Sequence, residues 1–386
     1  MELLIYLILF LLVLIVSSTT NKLLPFLPLP LVQILLGIVI GLFLPNTNFH
    51  LNTELFLALV IGPLLFRESE EADITAILKH WRIIVYLIFP VIFISTLSLG
   101  GLAHLLWFSL PLAACLAVGA ALGPTDLVAF ASLSERFSFP KRVSNILKGE
   151  GLLNDASGLV AFQVALTAWT TGAFSLGQAS SSLIFSILGG FLIGFVTAMT
   201  NRFLHSFLLS VRATDIASEL LLELSLPLVT FFLAEEVHVS GIIAVVVAGI
   251  LKASRFKKIT LLEAQVDTVT ETVWHTVNFM LNGSVFVILG MELEMIAEPI
   301  LTNPIYNPLL LLVSLIALTF VLFAIRFVMI YGYYAYRTRR LKKKLNKYMK
   351  DMLLLTFSGV KGTVSIATIL LIPSNLEQEY PLLLFL

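Results

Sequence analysis

The 386-residue chain is 58% hydrophobic and only 12% charged, and its mean hydropathy is +0.99. A water-soluble chain carries about a quarter charged residues, so this composition excludes a soluble enzyme. Lys plus Arg and Asp plus Glu both number 24, which gives no reason to expect a nucleic-acid partner, and the single cysteine, Cys115, excludes a disulfide framework.

Apolar runs between polar breaks predict about twelve membrane-crossing helices. In chain order they are 3–19, 26–44, 52–66, 82–107, 111–134, 147–171, 179–201, 216–235, 238–252, 270–296, 307–335 and 352–373. The apolar stub that ends at Leu386 resembles the beginning of one more helix. We therefore expect a single transmembrane domain over residues 1–386, with the chain ending inside its last helix.

The basic residues predict the orientation of these helices. All but two of the 24 Lys and Arg residues fall in loops on one side, most densely at 337–350, whereas opposite loops such as 46–52 and 171–180 have none. Because positive charge marks the cytoplasmic side, we expect a cell-membrane protein with an extracellular N-terminus and a cytoplasmic basic loop at 337–350.

Several ionisable residues fall inside the predicted spans. Two are cations and four are carboxylates: Arg326, Lys361, Glu150, Asp126, Asp155 and Glu223. An ionised side chain in hydrocarbon costs at least about 2.5–3.5 kcal/mol, so such groups are normally paired or line a wet cavity. The count leaves a surplus of negative charge, which predicts a site where a cation or a proton binds.

Two spans contain helix-breaking sequences. Gly123-Pro124-Thr125-Asp126 interrupts the fifth span, where freed carbonyls, the Thr125 hydroxyl and the Asp126 carboxylate are hard oxygen ligands for a small monovalent cation. Residues 358–365, Ser-Gly-Val-Lys-Gly-Thr-Val-Ser, interrupt the twelfth span. Two broken spans in two halves are typical of secondary transporters with inverted repeats, in which the broken helices cross at the binding site.

Five segments, in the same order, resemble elements of the NhaP/NHE-type monovalent cation/proton antiporter family. They are residues 63–66, 123–126, 149–155 (Gly-Glu-Gly-Leu-Leu-Asn-Asp), 239–245 and 358–365. The resemblance implies a thirteen-helix protomer in the lipid membrane, a homodimer, and a mobile core that alternates access. It also implies exchange of Na+, or of Li+ or K+, for H+, with electroneutral one-to-one stoichiometry because Asn-Asp replaces the Asp-Asp of electrogenic relatives.

The resemblance also implies roles for individual residues. Asp155 would bind the cation and the proton in alternation, Asp126 and Thr125 would complete the site, and Ser157 would lend a hydroxyl. Asn154 would be structural, packing the core.

Three further positions follow from the resemblance. Arg326 would pair with Glu150. Lys361 stands where the family usually has an arginine, so bidentate contacts would be lost there. Arg67 follows Phe66 where the family often has Glu, so a carboxylate of the cytoplasmic funnel is assigned to Glu68 instead.

We therefore expect a transporter rather than an enzyme, with no cofactor beyond the transported cation. Two alternatives stay open. A passive cation channel would show voltage-driven flux without coupled proton movement. An intramembrane aspartyl protease also needs two buried aspartates, but the sequence around Asp126 and Asp155 lacks the glycine-bracketed aspartate of such proteases.

Overall fold

The protein is described here by a computed structural model. It describes residues 2–24, 26–43, 53–107, 110–123, 125, 138–171, 176–211, 215–253, 261–302, 308–340, 342 and 345–359, although some of their side chains, that of residue 155 among them, are outside the description. Every regular element that these residues form is a helix. The predicted all-α class is therefore confirmed.

The first half of the chain forms helices that follow the predicted spans closely. They are α1 (Glu2–Leu23), α2 (Leu29–Phe43), α3 (Thr53–Phe56), a π-helical turn (Leu57–Ile61), α4 (Gly62–Glu70), α5 (Ile74–Leu78), α6 (Trp81–Tyr86), a second π-helical turn (Leu87–Val91), α7 (Ile92–Leu106), α8 (Leu112–Ala121) and α9 (Lys141–Thr171). Pro90 lies in the second π-helical turn, where its missing N–H removes a bond from the helical ladder.

The second half contains the longest helices. They are α10 (Leu176–Ser210), α11 (Ile216–Glu236), α12 (Gly241–Ala253), α13 (Leu261–Thr302), α14 (Pro308–Arg340), a 3₁₀ turn (Leu345–Tyr348) and α15 (Met349–Phe357). Several extend beyond the predicted spans, since hydropathy marks the part of a helix at membrane depth and not the end of the helix.

Among the described residues, five helical stretches are long and apolar enough to cross a membrane by length and composition. They are Trp81–Leu106, Ile184–Leu208, Ile216–Glu236, Thr268–Leu293 and Leu309–Arg340, and shorter apolar helices include Leu29–Phe43 and Gly241–Ala253. The outward faces carry many large apolar side chains, such as Phe185 and Leu188 on α10, which are 63% and 62% exposed. This is the pattern of a multi-pass membrane protein.

The chain divides into two compact units. Unit 1 consists of Met1–Asn48, Thr75–Ser175 and Phe286–Leu386, and unit 2 of Phe49–Ile74 and Leu176–Val285. In unit 1, α8 packs between α7 and α9, with an apolar cluster that includes Leu99, Val118 and Leu318 on one side and Phe162 on the other. Gly119 permits the close approach of α8 to α7, because a Cβ there would lie 2.6 Å from the carbonyl oxygen of Thr96.

Unit 2 is held together by both apolar and polar contacts. Ala234, Val239 and Ala244 form a buried cluster at the junction of α11 and α12. Two hydrogen bonds join α10 to α11: Thr230 Oγ1 donates to Thr197 Oγ1 at 3.0 Å, and Asn201 Nδ2 donates to the carbonyl of Leu222 at 3.3 Å. Such bonds satisfy polar groups that lipid cannot.

The two predicted interruptions begin where the sequence places them. Helix α8 ends at Ala121, two residues before Gly123, and α15 ends at Phe357, directly before Ser358. The residues that follow in the sequence, 126–137 and 360–386, lie outside the described residues, and the crossing of the two broken helices therefore stays a prediction.

Candidate functional site

A buried ion pair joins α9 to α14 in unit 1. Arg326 Nη1 donates to Glu150 Oε1 at 2.7 Å, and Nη2 donates to Oε2 at 2.8 Å, so the guanidinium and the carboxylate meet as a bidentate fork. Glu150 is 0% exposed and Arg326 is 4% exposed. Charge-assisted bidentate hydrogen bonds of this kind are short and strong, and at this depth each charge needs the other.

The same arginine also binds the end of α15. Arg326 Nε donates to the carbonyl oxygen of Leu355 at 3.0 Å. That carbonyl lies in the last turn of α15, where helical carbonyls lack intrahelical partners and the helix dipole favours a cation. Gly359 leaves the room for this contact, since a Cβ at that position would lie 2.8 Å from Arg326 Cζ. One side chain therefore fixes α9, α14 and the edge of the second interruption.

A second polar contact joins α9 to the first interruption. Asn154 Nδ2 donates to Thr125 Oγ1 at 2.9 Å, and both residues are buried, at 0% and 4% exposed. Ser157 Oγ donates to the carbonyl of Asn154 at 2.8 Å and is thereby tied to its own helix. The hydrogen bond from Asn154 holds the non-helical residue 125 against α9 one position before Asp155.

The other polar atom of Asn154 is unsatisfied. Its Oδ1 is buried and accepts no hydrogen bond from the part of the chain that the structure describes. An unpaired carbonyl oxygen at this depth costs about 1–3 kcal/mol unless a water, an ion or another donor reaches it. The region where α9 meets the break after α8 therefore has an acceptor available.

The predicted site residues divide into those that the structure brings together and those it does not describe. Asn154 of α9 is hydrogen-bonded both to Thr125, which precedes Asp126, and to Ser157 of its own helix. Glu150 lies one turn earlier on α9. The backbone of Asp155 belongs to α9, but its side chain, like the whole of Asp126 and Lys361, is outside the described residues. Glu68 lies half-buried in α4 of unit 2.

Glu223, which the sequence count included in the surplus of negative charge, has a cationic partner that the count left out. Its Oε1 lies 2.8 Å from Lys252 Nζ, and Lys252 also approaches Glu70 Oε1 at 3.3 Å. Lys252, the last residue of the predicted span 238–252, was counted from the sequence among the loop cations, but it lies in the last turn of α12 with only 10% of its side chain exposed. Glu223 therefore does not contribute to the predicted surplus of negative charge, which depends on Asp126 and Asp155.

The ionic cluster of Glu70, Glu223 and Lys252 lies in unit 2, and the sequence analysis did not predict that these side chains meet. Trp274 Nε1 donates to Glu223 Oε1 at 2.9 Å, and Arg67 lies over the Trp274 ring at 5.8 Å from its centroid. The cluster ties the ends of α4 and α12 to α11 and α13. No group of three or more His, Cys, Asp or Glu side chains that could hold a metal ion occurs in the described residues.

Comparison with known proteins gives a consistent result. The chain matches the transmembrane sodium/hydrogen exchanger family over residues 7–386. It is 36% identical over 377 residues to the sodium, potassium, lithium and rubidium/H+ antiporter of Bacillus pumilus. The aligned region covers 97% of this chain and 56% of that protein. It is 30% identical over 383 residues to an uncharacterized Na+/H+ exchanger of Escherichia coli, which covers 97% of this chain and 70% of that one.

The fold has a solved counterpart. The sodium proton antiporter MjNhaP1 from Methanocaldococcus jannaschii superposes with a TM-score of 0.69 at 18% identity, over 100% of this chain and 92% of that chain. At that identity the likeness concerns the fold alone. The chain spans about half the length of the Bacillus relatives that it matches.

Proposed function

We propose that this chain, a member of the transmembrane sodium/hydrogen exchanger family, exchanges a monovalent cation for a proton across the membrane. The observation that carries the proposal is the hydrogen bond from Asn154 on α9 to Thr125 at the broken end of α8. It supports a cation site made from residues 125, 126, 155 and 157, because it joins the helix that carries Asp155 to the interruption that carries Asp126.

The proposed chemistry is a competition for one carboxylate. Asp155 holds either the cation or the proton, and the state that holds both is disfavoured. The Thr125 hydroxyl and the Asp126 carboxylate supply further oxygen ligands, and Ser157 lends a hydroxyl when its bond to α9 opens. Exchange then follows when the site is open to each side of the membrane in turn.

The charge balance around the site supports one-to-one exchange. The Glu150 carboxylate is paired with Arg326 at 2.7 and 2.8 Å, so its charge is already balanced within the protein. A single carboxylate that alternates between one cation and one proton carries no net charge per cycle. We therefore propose an electroneutral cycle, with Na+ as a substrate and Li+ and K+ as further candidates.

The proposal also covers how the protein assembles and is oriented in the membrane. The protein acts as a homodimer in the cell membrane, with its N-terminus outside and the basic residues 337–350 in the cytoplasm. The exposed Arg337, Arg339 and Arg340 in the last turn of α14 support that orientation, because cations after a membrane span favour the cytoplasmic side.

The test is proton movement in proteoliposomes. A pH gradient quenches an entrapped dye, and Na+, Li+ or K+ is then added in turn. We expect each transported cation to restore fluorescence at a rate that does not change when an ionophore clamps the membrane potential at zero. Cation flux that follows the membrane potential without proton movement would instead show a channel and would end the proposal.

A further inference from the structure

The connection from α14 to α15 carries an exposed cluster of cations, which we call the basic connection. Its described members, all exposed, are Arg337, Arg339, Arg340, Lys342, Lys347 and Lys350. No carboxylate occurs in the sequence 337–350, and the ion pairs formed by the described residues include none of these six side chains. Among the described residues, therefore, no carboxylate balances this positive charge through an ion pair.

The position of the cluster indicates what balances it. The stretch Leu309–Arg340, which is long and apolar enough to cross a membrane, ends inside the basic connection, so the cations lie where its apolar sequence ends. A group of four to eight Lys and Arg residues at such a place attracts anionic phospholipid headgroups, and each cation near the surface strengthens the attraction about fivefold. The headgroups of the adjacent leaflet are the anions within reach.

Both ends of the basic connection are tied to one residue of α9. Arg142 Nη2 donates to the hydroxyl of Tyr334, which precedes the basic connection on α14, at 3.2 Å. The same guanidinium lies 5.0 Å from the ring centroid of Tyr348 in the 3₁₀ turn and 3.6 Å from Asp351 Oδ2 in the first turn of α15. Cation–π contacts and a partly buried ion pair make this a defined anchor rather than a loose surface contact.

The anchor leads to the candidate site along one continuous helix. Arg142 is the second residue of α9 (Lys141–Thr171), and Asn154 lies twelve residues, or about 18 Å, further along it. Asp351 lies in the first turn of α15, whose Leu355 carbonyl accepts the hydrogen bond from Arg326. A displacement of the basic connection therefore reaches the site residues through α9 and through α15.

We propose that the basic connection is a docking surface for anionic phospholipid headgroups, and that its occupancy is transmitted through the Arg142 anchor to the exchange site. Binding of lipid is independent of the proposed function, whereas the effect on rate rests on it. Headgroups that hold the basic connection at the membrane surface keep Tyr348 and Asp351 against Arg142, and the protein exchanges faster in an anionic membrane than in a neutral one.

The binding step is tested with a charge variant and a matched control. The variant replaces Arg337, Arg339, Arg340 and Lys347 by Gln. The control replaces four other exposed cations of the same predicted side by Gln: Lys79, Arg82, Lys141 and Lys148. The full chain is purified from vesicles of phosphatidylcholine and phosphatidylglycerol, and the phosphatidylglycerol that stays bound is measured by native mass spectrometry, with and without soluble glycerol phosphate.

At about fivefold per cation, the charge variant should lose the bound lipid while the control keeps it. Equal retention by both variants, or displacement of the lipid by soluble glycerol phosphate, would overturn the docking surface as a lipid site. Because lipid retention is measured without transport, its result does not depend on whether the proposed exchange function is correct.

The transmission step uses Tyr348→Leu, with Tyr348→Phe as its control. The Leu variant removes the ring that faces Arg142, whereas the Phe variant keeps the ring and loses only the hydroxyl. Exchange is compared in vesicles of phosphatidylcholine alone and of the mixture with phosphatidylglycerol. We expect a several-fold stimulation by phosphatidylglycerol in the wild type and in Tyr348→Phe, and its loss in Tyr348→Leu with lipid retention unchanged. Equal rates of the wild type in both membranes, or stimulation that survives in Tyr348→Leu, would overturn the transmission.

Discussion

Replacing Glu150 by Leu should destabilise the protein more than any exposed ion-pair substitution. The change leaves the Arg326 guanidinium, 4% exposed, with the Leu355 carbonyl as its remaining partner among the described residues. Removing one member of a buried pair typically costs about 3–5 kcal/mol, because the other charge stays buried without compensation. An unfolding entropy of about 2.1 cal/mol/K per residue over 386 residues converts this cost into a fall in Tm of about 4–6 °C.

Thermal unfolding in detergent, followed by intrinsic fluorescence, measures this fall. The matched control is Glu71→Leu, since Glu71 Oε1 also lies 2.7 Å from an arginine, Arg67, but its side chain is 57% exposed. An exposed pair contributes about 0–1 kcal/mol, so the control should lower Tm by about 1 °C or less.

A double substitution separates the lost charge pairing from the lost packing. Glu150→Leu combined with Arg326→Leu removes both charges, and it should be less destabilising than the sum of the two single changes by more than about 2 kcal/mol. Similar falls in Tm for Glu150→Leu and for the exposed control, or additive effects in the double variant, would refute the reasoning.

Three smaller predictions concern positions around the same helices. Gly359→Ala should lower Tm because the added Cβ would press on the buried Arg326 guanidinium. Gly332→Ala, whose Cβ meets nothing within 4 Å, should leave Tm unchanged or raise it. Thermal unfolding of both variants tests this difference. Thr125→Val removes the acceptor of Asn154 and should cost about 1–3 kcal/mol, whereas Thr125→Ser should restore most of that stability. Burial, followed by the positive charge of neighbouring cations, lowers the pKa of His80 from its ordinary 6.5, so the unfolded chain binds a proton that the folded chain does not. Stability should therefore fall as the pH drops below 6.5. His80→Gln should flatten Tm between pH 7 and pH 5, and an unchanged slope in that variant would count against the assignment.

Hydropathy and charge were enough to predict the helical class, because the bilayer imposes both the length of an apolar helix and the sidedness of its cations. They were also enough to locate the two interruptions, since Gly123-Pro124 and Ser358-Gly359 are local signals that end α8 and α15 at the expected places. Signals of this kind need no knowledge of which helices are neighbours.

Contacts between distant residues could not be predicted in the same way. The hydrogen bond between Asn154 and Thr125 joins positions 29 apart, and the ion pair between Arg326 and Glu150 joins positions 176 apart. The latter was implied by the family resemblance and not by composition. Lys252 shows the converse error: the sequence count placed it among the loop cations at the end of the span 238–252, but a long side chain at a helix end can turn back to partly buried carboxylates.

The most direct test of the central claim is the rate of Na+-driven proton movement in proteoliposomes that contain Asp155→Asn. The matched control is Asp215→Asn, which makes the same chemical change at the exposed N-cap of α11, where asparagine caps a helix as well as aspartate does. We expect Asp155→Asn to fold with an unchanged Tm and to move no protons, while Asp215→Asn exchanges at the rate of the wild type. Wild-type exchange by Asp155→Asn would show that Asp155 is not the carboxylate that binds the cation and the proton.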